Sequence, residues 1–233
     1  VPFCALGRFL NPFHVSKGEI MATQTQATTL KKTAKLTSTR SIAVIGILGA
    51  LSAVVMAFEF PLPFLPAFYK LDFSEVPVLL GGFALGPAAA AVIEAMKVIL
   101  HMLIGGGSQT AGIGELANFI IGCSLVVPAA LIYRYHKARK TAVVGMGVGT
   151  VLMAVVGGLM NAFLLLPIYA AAFHMPLNAI IGMGTKINAS INNMTTFVLF
   201  ATTPLNLIKA VLVSIITFAL YKYVSPVLHG RRR

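Results

Sequence analysis

Residues 41–58 read SIAVIGILGALSAVVMAF, a run without a single charge in which Ser41 and Ser52 are the polar exceptions. About 20 such residues, wound as a helix, cross the hydrocarbon core of a bilayer. Five further apolar segments follow: 76–85, 88–104, 112–133, 142–172 and 196–221. Prolines and glycines punctuate them, with Pro61, Pro63 and Pro66 after the first segment, Gly86-Pro87 after the second and Gly105-Gly106-Gly107-Ser108 after the third. The segment 142–172 is longer than a span requires and predicts a tilt or a break. The pattern predicts an all-α integral membrane protein with six transmembrane helices.

Composition agrees. Of 233 residues, 58% are apolar and 10% charged, against roughly 45–50% and 25% in soluble domains. Mean hydropathy is +0.88. These values exclude a soluble globule, a disordered tail and a coiled coil. Cys4 and Cys123 support neither a disulfide framework nor a cysteine metal site.

The net charge of +12 is placed by topology and not by nucleic acid. Lys31, Lys32, Lys35, Arg40, Arg134, Lys137, Arg139, Lys140, Lys222 and Arg231–Arg233 fall on one side if the spans are even in number. Lys70 and Lys186 fall on the other. Basic loops stay in the cytoplasm, so both termini are expected there.

Four regions follow. Residues 1–20 lack the apolar core and cleavage site of a signal peptide. Lys17-Gly18-Glu19-Ile20 before Met21 is a string that a ribosome-binding site would encode, so 1–20 is expected to be a mis-annotated leader. Residues 21–40 read as a basic flexible cytoplasmic arm, 41–225 as the membrane domain and 226–233 as a basic cytoplasmic tail.

Ionisable groups at membrane depth cost about 2.5–3.5 kcal/mol each and need a partner or a polar cavity. Glu94 and Lys97 are three apart on one helix face, so they read either as a structural pair or as cavity groups. Lys209 has no acid on its own helix, which favours a cavity or ligand role. Asn206 lies one turn before it on the same face, where its amide suits a ligand edge with alternating donors and acceptors, or merely caps a break after Pro204. Asn161 falls in the fifth segment, while Asn188, Asn192 and Asn193 read as outer loop. Phe58, Phe60, Phe64, Phe68, Tyr69 and Phe73 fit interfacial anchors as well as a lid over a flat ligand. Gly46, Ala50, Ala53 and Ala57 share one face of the first helix and permit close approach of another helix, internal or foreign. There is no GxxxxGK[ST] string, so the chain has no P-loop of its own. The histidines show no metal-ligand spacing.

Three strings carry a resemblance: FEFPLPFLPAFYKLDFSEVPVLLGGFALGP (58–87), GELANFIIG (114–122) and TTPLNLIKA (202–210). Over about residues 40–225 the chain resembles the substrate-binding S components of energy-coupling-factor (ECF) vitamin transporters, most closely the riboflavin branch. The resemblance implies the compact six-helix S-component fold in a bacterial cytoplasmic membrane, crossing the lipid bilayer several times. It implies riboflavin as transported ligand, with FMN left open, and no cofactor. It implies docking to a transmembrane T component and two ABC-type ATPases, through Ala50, Ala53 and Ala57. The ligand is expected on Asn161, Asn206 and Lys209, with Lys97, Phe58 and Leu71 as further contacts and the loop 61–74 closing over it. Rival readings remain at this point: an S component for another vitamin, and an intramembrane enzyme using Glu94, Lys97, His101 and Glu115. A solitary facilitator working without an ATPase module is a third.

Overall fold

The computed structural model describes residues 38–62, 69–105, 112–172 and 176–228. The expected leader 1–20, most of the arm 21–40 and the tail residues 229–233 lie outside them. The chain divides into units 1–41 and 42–233. Of the first, the described part is a helix start, where the Ser38 hydroxyl accepts from the Ser41 N–H at 3.2 Å.

Helix α1 (Thr39–Ala57) leads into a short hairpin, β1 (Phe60–Pro61) and β2 (Lys70–Leu71), paired antiparallel with Phe60 opposite Leu71. Next come α2 (Glu75–Leu85), α3 (Pro87–Ile104), α4 (Ile113–Tyr135) and α5 (Arg139–Met160). A π-helical turn, Asn161–Leu165, joins α5 to α6 (Leu166–Ala172). Beyond α7 (Leu177–Ile187) and α8 (Met194–Phe197), a second π-helical turn (Val198–Thr202) opens α9 (Thr203–Leu228).

Among the described residues, five helical stretches are long and apolar enough to cross a membrane: 39–57, 87–104, 113–135, 139–171 and 194–221. The remaining expected segment is α2, whose 11 residues span about 16 Å, short of a roughly 30 Å hydrocarbon core. It is instead wrapped by neighbours, with Val78 and Leu79 fully buried.

The distribution of side chains is that of a bilayer protein. Ile47, Val151, Leu103 and Phe163 point outward, whereas Glu75, Glu94, Lys97 and Thr202 are fully buried. Lipid solvates the first set, and in the second Lys97 lies at ion-pair distance from Glu75 and Glu94 inside the bundle. The glycine run in α5 is a packing device. A Cβ on Gly145 would stand 2.8 Å from the Ala129 carbonyl oxygen, and one on Gly149 would stand 2.4 Å from that of Leu125. Backbones of α4 and α5 therefore approach as small residues allow.

Both π turns have the same local cause. Pro167 and Pro204 cannot donate to the carbonyls of Phe163 and Phe200 four residues back, and each ring crowds that carbonyl. The chain absorbs the fault by widening one turn to i→i+5 bonding. In the segment 142–172, where a tilt or a break was expected, the helix runs on through this first π turn to residue 171.

Candidate ligand cavity

A cavity of about 610 Å³ opens at one end of the bundle. Its walls come from the last turn of α1, the hairpin, the C-terminal end of α3, the N-terminal end of α4, the first π turn and α9. The basic loop Arg134–Lys140 joins α4 and α5 at their other ends. Met56, Ile104, Ile121, Met153, Leu165 and Leu205 supply apolar wall, while Asn118, Asn161, Asn206 and Lys209 supply polar groups.

The π turns bring the amides into place. Asn161 opens the first turn and is buried. Its Nδ2 donates to the Gly157 carbonyl at 2.8 Å, and its Oδ1 accepts from the Tyr69 hydroxyl at 2.7 Å. The Tyr69 hydroxyl also lies 2.9 Å from Thr202 Oγ1 in the second turn. The hairpin is thereby pinned to both π turns through one phenol, and burial pushes that phenol above its ordinary pKa. Asn206 follows one turn further along α9. Its side chain lies in space that only a glycine leaves, since a Cβ on Gly157 would stand 2.3 Å from Nδ2. That Nδ2 is buried and has no hydrogen-bond partner among the described residues. A buried donor left in this way costs about 1–3 kcal/mol until a ligand or water accepts from it.

Beneath the cavity runs a chain of alternating charges. Lys209 reaches Asp72 at 2.8 Å and Glu75 at 3.0 Å. Lys97 reaches Glu75 at 3.3 Å, Glu94 at 2.5 Å and the Asn118 amide oxygen at 3.4 Å. Lys209, Lys97, Asp72 and Glu75 are each tied to an ion from another part of the chain, and Glu94 pairs within its own helix with Lys97, which is what makes their burial tolerable. The Ser74 N–H and hydroxyl both donate to Asp72 Oδ1, at 2.9 Å and 2.5 Å. Burial raises the Asp72 carboxyl, but Lys209, Lys97 and Ser74 outweigh it and hold the group below the usual carboxylate range. At the mouth, Lys70 pairs with Glu59.

Of the residues expected at the ligand, Asn161, Asn206 and Lys209 meet in the cavity wall. The others stand elsewhere. Lys97 is fully buried within the ion chain, below the wall. Leu71 is packed with Leu166, Ile180, Phe197 and Leu205 in the apolar cluster that seats the hairpin. Phe58 is 76% exposed at the end of α1. The small-residue face also divides: Ala50 and Ala57 are exposed, and Ala53 is turned into the bundle at 1% exposure. Asp72, Glu75 and Tyr69 were not picked out by spacing as polar partners of the site. Asp72 and Glu75 lie more than 130 residues from Lys209, where helical periodicity says nothing. An acid in an otherwise apolar stretch was the one available signal.

Fold and cavity together define a membrane-embedded binding protein with its ligand space at one end of a helix bundle. The chain belongs to the family described as ECF transporter, substrate-specific component, whose model matches residues 40–221. Its similarity to the riboflavin transporter RibU of Staphylococcus aureus (strain TCH60) is 31% identity over 183 residues, 78% of this chain and 89% of that one. The riboflavin transporter FmnP of Bacillus subtilis (strain 168) is 28% identical over 193 residues, 83% of this chain and 96% of its own. A solved structure of the S component of a bacterial ECF transporter superposes with TM-score 0.62 at 30% identity, covering 80% of this chain and 96% of that one. The family is one of transport subunits, so the enzyme reading of Glu94, Lys97, His101 and Glu115 is not favoured.

Proposed function

We propose that the chain is the riboflavin-binding S component of an ECF importer in a bacterial cytoplasmic membrane. Six helices, counting the short α2, put both termini and the Arg134–Lys140 loop in the cytoplasm under the positive-inside rule. The cavity, at the opposite end, then faces outward. It loads from outside and depends on a T component and two ATPases for release, docking through the exposed Ala50 and Ala57 on α1.

The observation that carries this reading is the Asn206 amide, buried in the wall of the cavity with its nitrogen unpartnered. Riboflavin offers a broad apolar tricycle, a dione edge of alternating C=O and N–H groups, and a hydroxylated tail. The apolar wall accepts the ring system, and an amide with both donor and acceptor matches the dione edge. The cavity volume lies within the roughly 300–1,000 Å³ range of small-ligand pockets. Asn161, held by Tyr69, and Lys209, held by Asp72, are offered at fixed positions beside it.

The test is flavin absorbance of the protein purified in detergent from riboflavin-grown cells, together with quenching of added riboflavin fluorescence. Wild type is expected to carry or bind the flavin, and Asn206→Ala to weaken binding at least about tenfold through the lost hydrogen bonds. Lys209→Ala should also lose binding, but it strands Asp72 and Glu75 in the interior, so Asn206→Ala is the sharper variant. A colourless protein that fails to quench riboflavin would overturn the ligand assignment. Wild-type affinity in Asn206→Ala would overturn the site.

A further inference from the structure

Pairing in the ion chain is not balance. Among the described residues, the buried acids are Asp72, Glu75 and Glu94, and the buried bases are Lys97 and Lys209. Three carboxylates thus share two ammonium groups. Fully ionised, the set would keep one negative charge away from water. An excess charge in such a place is met by a bound cation or by a proton.

The partners show where the excess falls. Asp72 accepts twice from Ser74 and once from Lys209. Glu75 lies between both lysines. Glu94 has Lys97 alone, on which Glu75 and Asn118 also draw. On an isolated α3 the Glu94–Lys97 pair would balance, but in the folded bundle Lys97 is shared. Their contact is one of distance, since neither Glu94 oxygen has a hydrogen-bond partner among the described residues. The carboxyl is fully buried and fills the space left by Gly122 on α4, where a Cβ would stand 2.7 Å from its carboxyl carbon. Glu75 from α2, Lys209 from α9 and the half-buried Cys123 thiol from α4 are within electrostatic reach of it. His101 and Glu115 stand at the cavity ends of α3 and α4, and residues 41–57 of α1 bring no charge. Among the described residues no group of three or more His, Cys, Asp or Glu side chains could hold a metal ion. That leaves a proton as the counter-charge.

We propose that Glu94 is a proton site: the folded bundle holds one proton on this carboxyl, which brings the five buried groups to zero net charge. The proton belongs to the linked set and rests at its Glu94 end. Lys97 is then left to Glu75, which together with Asp72 fixes Lys209 on the cavity floor. This holds whichever ligand the cavity takes.

Infrared spectroscopy of the protein in an ester-free detergent reads the proton directly. At about pH 7, where ordinary carboxyls are ionised, wild type should show a protonated-acid C=O band that Glu94→Gln lacks. Absence of the band from wild type, or its persistence in Glu94→Gln, overturns the site. Melting curves give a second readout, because a folded state that keeps a proton the unfolded chain releases loses stability as pH rises. From about pH 6 to the pH at which the band disappears, the folded-to-unfolded ratio of wild type should fall by up to about tenfold per pH unit. Glu94→Gln, neutral and of the same shape, should fold and should lose that slope. Glu75→Gln should melt lower at every pH, because it takes a counter-ion from both lysines. If Glu94→Gln does not fold, or keeps the wild-type slope, Glu94 is not the neutral member and the proposal falls. It falls also if replacing choline by sodium shifts the wild-type curve, since a bound cation then supplies the balance. Opening of the hairpin alone does not release this proton, because Glu94 lies between α3 and α4.

Discussion

Gly157 and Asn206 show how a single missing methyl shapes the cavity. No Cβ fits at 157 without displacing the Asn206 amide, so the glycine is the amide's seat. Gly157→Ala adds a good helix former to α5 and should leave thermal stability within about 1 kcal/mol of wild type, because only a side-chain tip must move. Riboflavin affinity should fall at least about tenfold in the same variant, since the amide loses its position. A titration beside a melting curve separates the two effects. Gly122 does the same for a charge: a Cβ there would stand 2.1 Å from Glu94 Oε1. Asp72 ties the end of the hairpin to α9 through Lys209. Its folded-state pKa is lowered, so the stability it contributes is fully present above its unfolded value and is lost only as pH falls through the lowered one. The hairpin should therefore stay equally protected from hydrogen exchange between about pH 8 and pH 5, a window wholly above the ordinary carboxylate pKa of about 3.9. Protection lost within that window would show that the Asp72–Lys209 pair is not made.

Among the elements, the two π turns have the most direct bearing on binding. Each widens the helix at the level of the cavity, one opening at Asn161 and the other ending a turn before Asn206. Pro204→Ala restores a backbone donor toward Phe200 and allows the second turn to close into regular α-helix. Closure would rotate the cavity face of α9 against α5, so riboflavin binding should weaken while the helical circular-dichroism signal is kept. Unchanged affinity would show that Asn206 does not depend on the wide turn. The helices themselves were legible in the sequence, because uninterrupted apolar runs bounded by Pro, Gly and basic residues allow little else. Segments read at 76–85, 88–104 and 112–133 appear as helices over 75–85, 87–104 and 113–135. Helix α7 was not, since it falls between the segments read at 142–172 and 196–221, where only Asn188, Asn192 and Asn193 were read, as outer loop. Its apolar residues Leu177, Ala179, Ile180, Ile181, Met183 and Ile187 are interrupted by Asn178, two glycines, Thr185 and Lys186 and form no long run, yet Ile180 is buried. Nor could the sequence place Ala53. Helical spacing groups it with Ala50 and Ala57, but the boundary between the inward and outward faces of α1 is set by the neighbours that pack there. Asn206 and Lys209 were readable because they share a helix with i, i+3 spacing. Asp72 and Glu75 were not, because their pairing is purely tertiary.

For the whole molecule, exposed apolar side chains serve two solvents: lipid and, on the reading proposed here, a partner subunit. Ala50→Trp places bulk on the exposed face of α1 and is expected to leave riboflavin binding in detergent intact. Uptake into cells that carry the ECF module should be lost. Retained uptake would move the docking face elsewhere. Ala53→Trp acts differently, since it forces bulk into the bundle and should destabilise the protein by about 1–3 kcal/mol or more.

The buried charge chain also has a direction in time. A polypeptide reaches the membrane from its N-terminus onward. Helix α3 emerges with Glu94 and Lys97 one turn apart, so it carries its own neutral pair into lipid before any later helix exists. Asp72 and Glu75 have no such companion until Lys97 follows them, and they wait for Lys209 near the end of the chain. Lys209 then arrives last, as a lone cation at membrane depth, to find its two counter-ions already in place. A chain that ends before α9 would keep the Glu75–Lys97 pair but leave Asp72 without its ammonium partner.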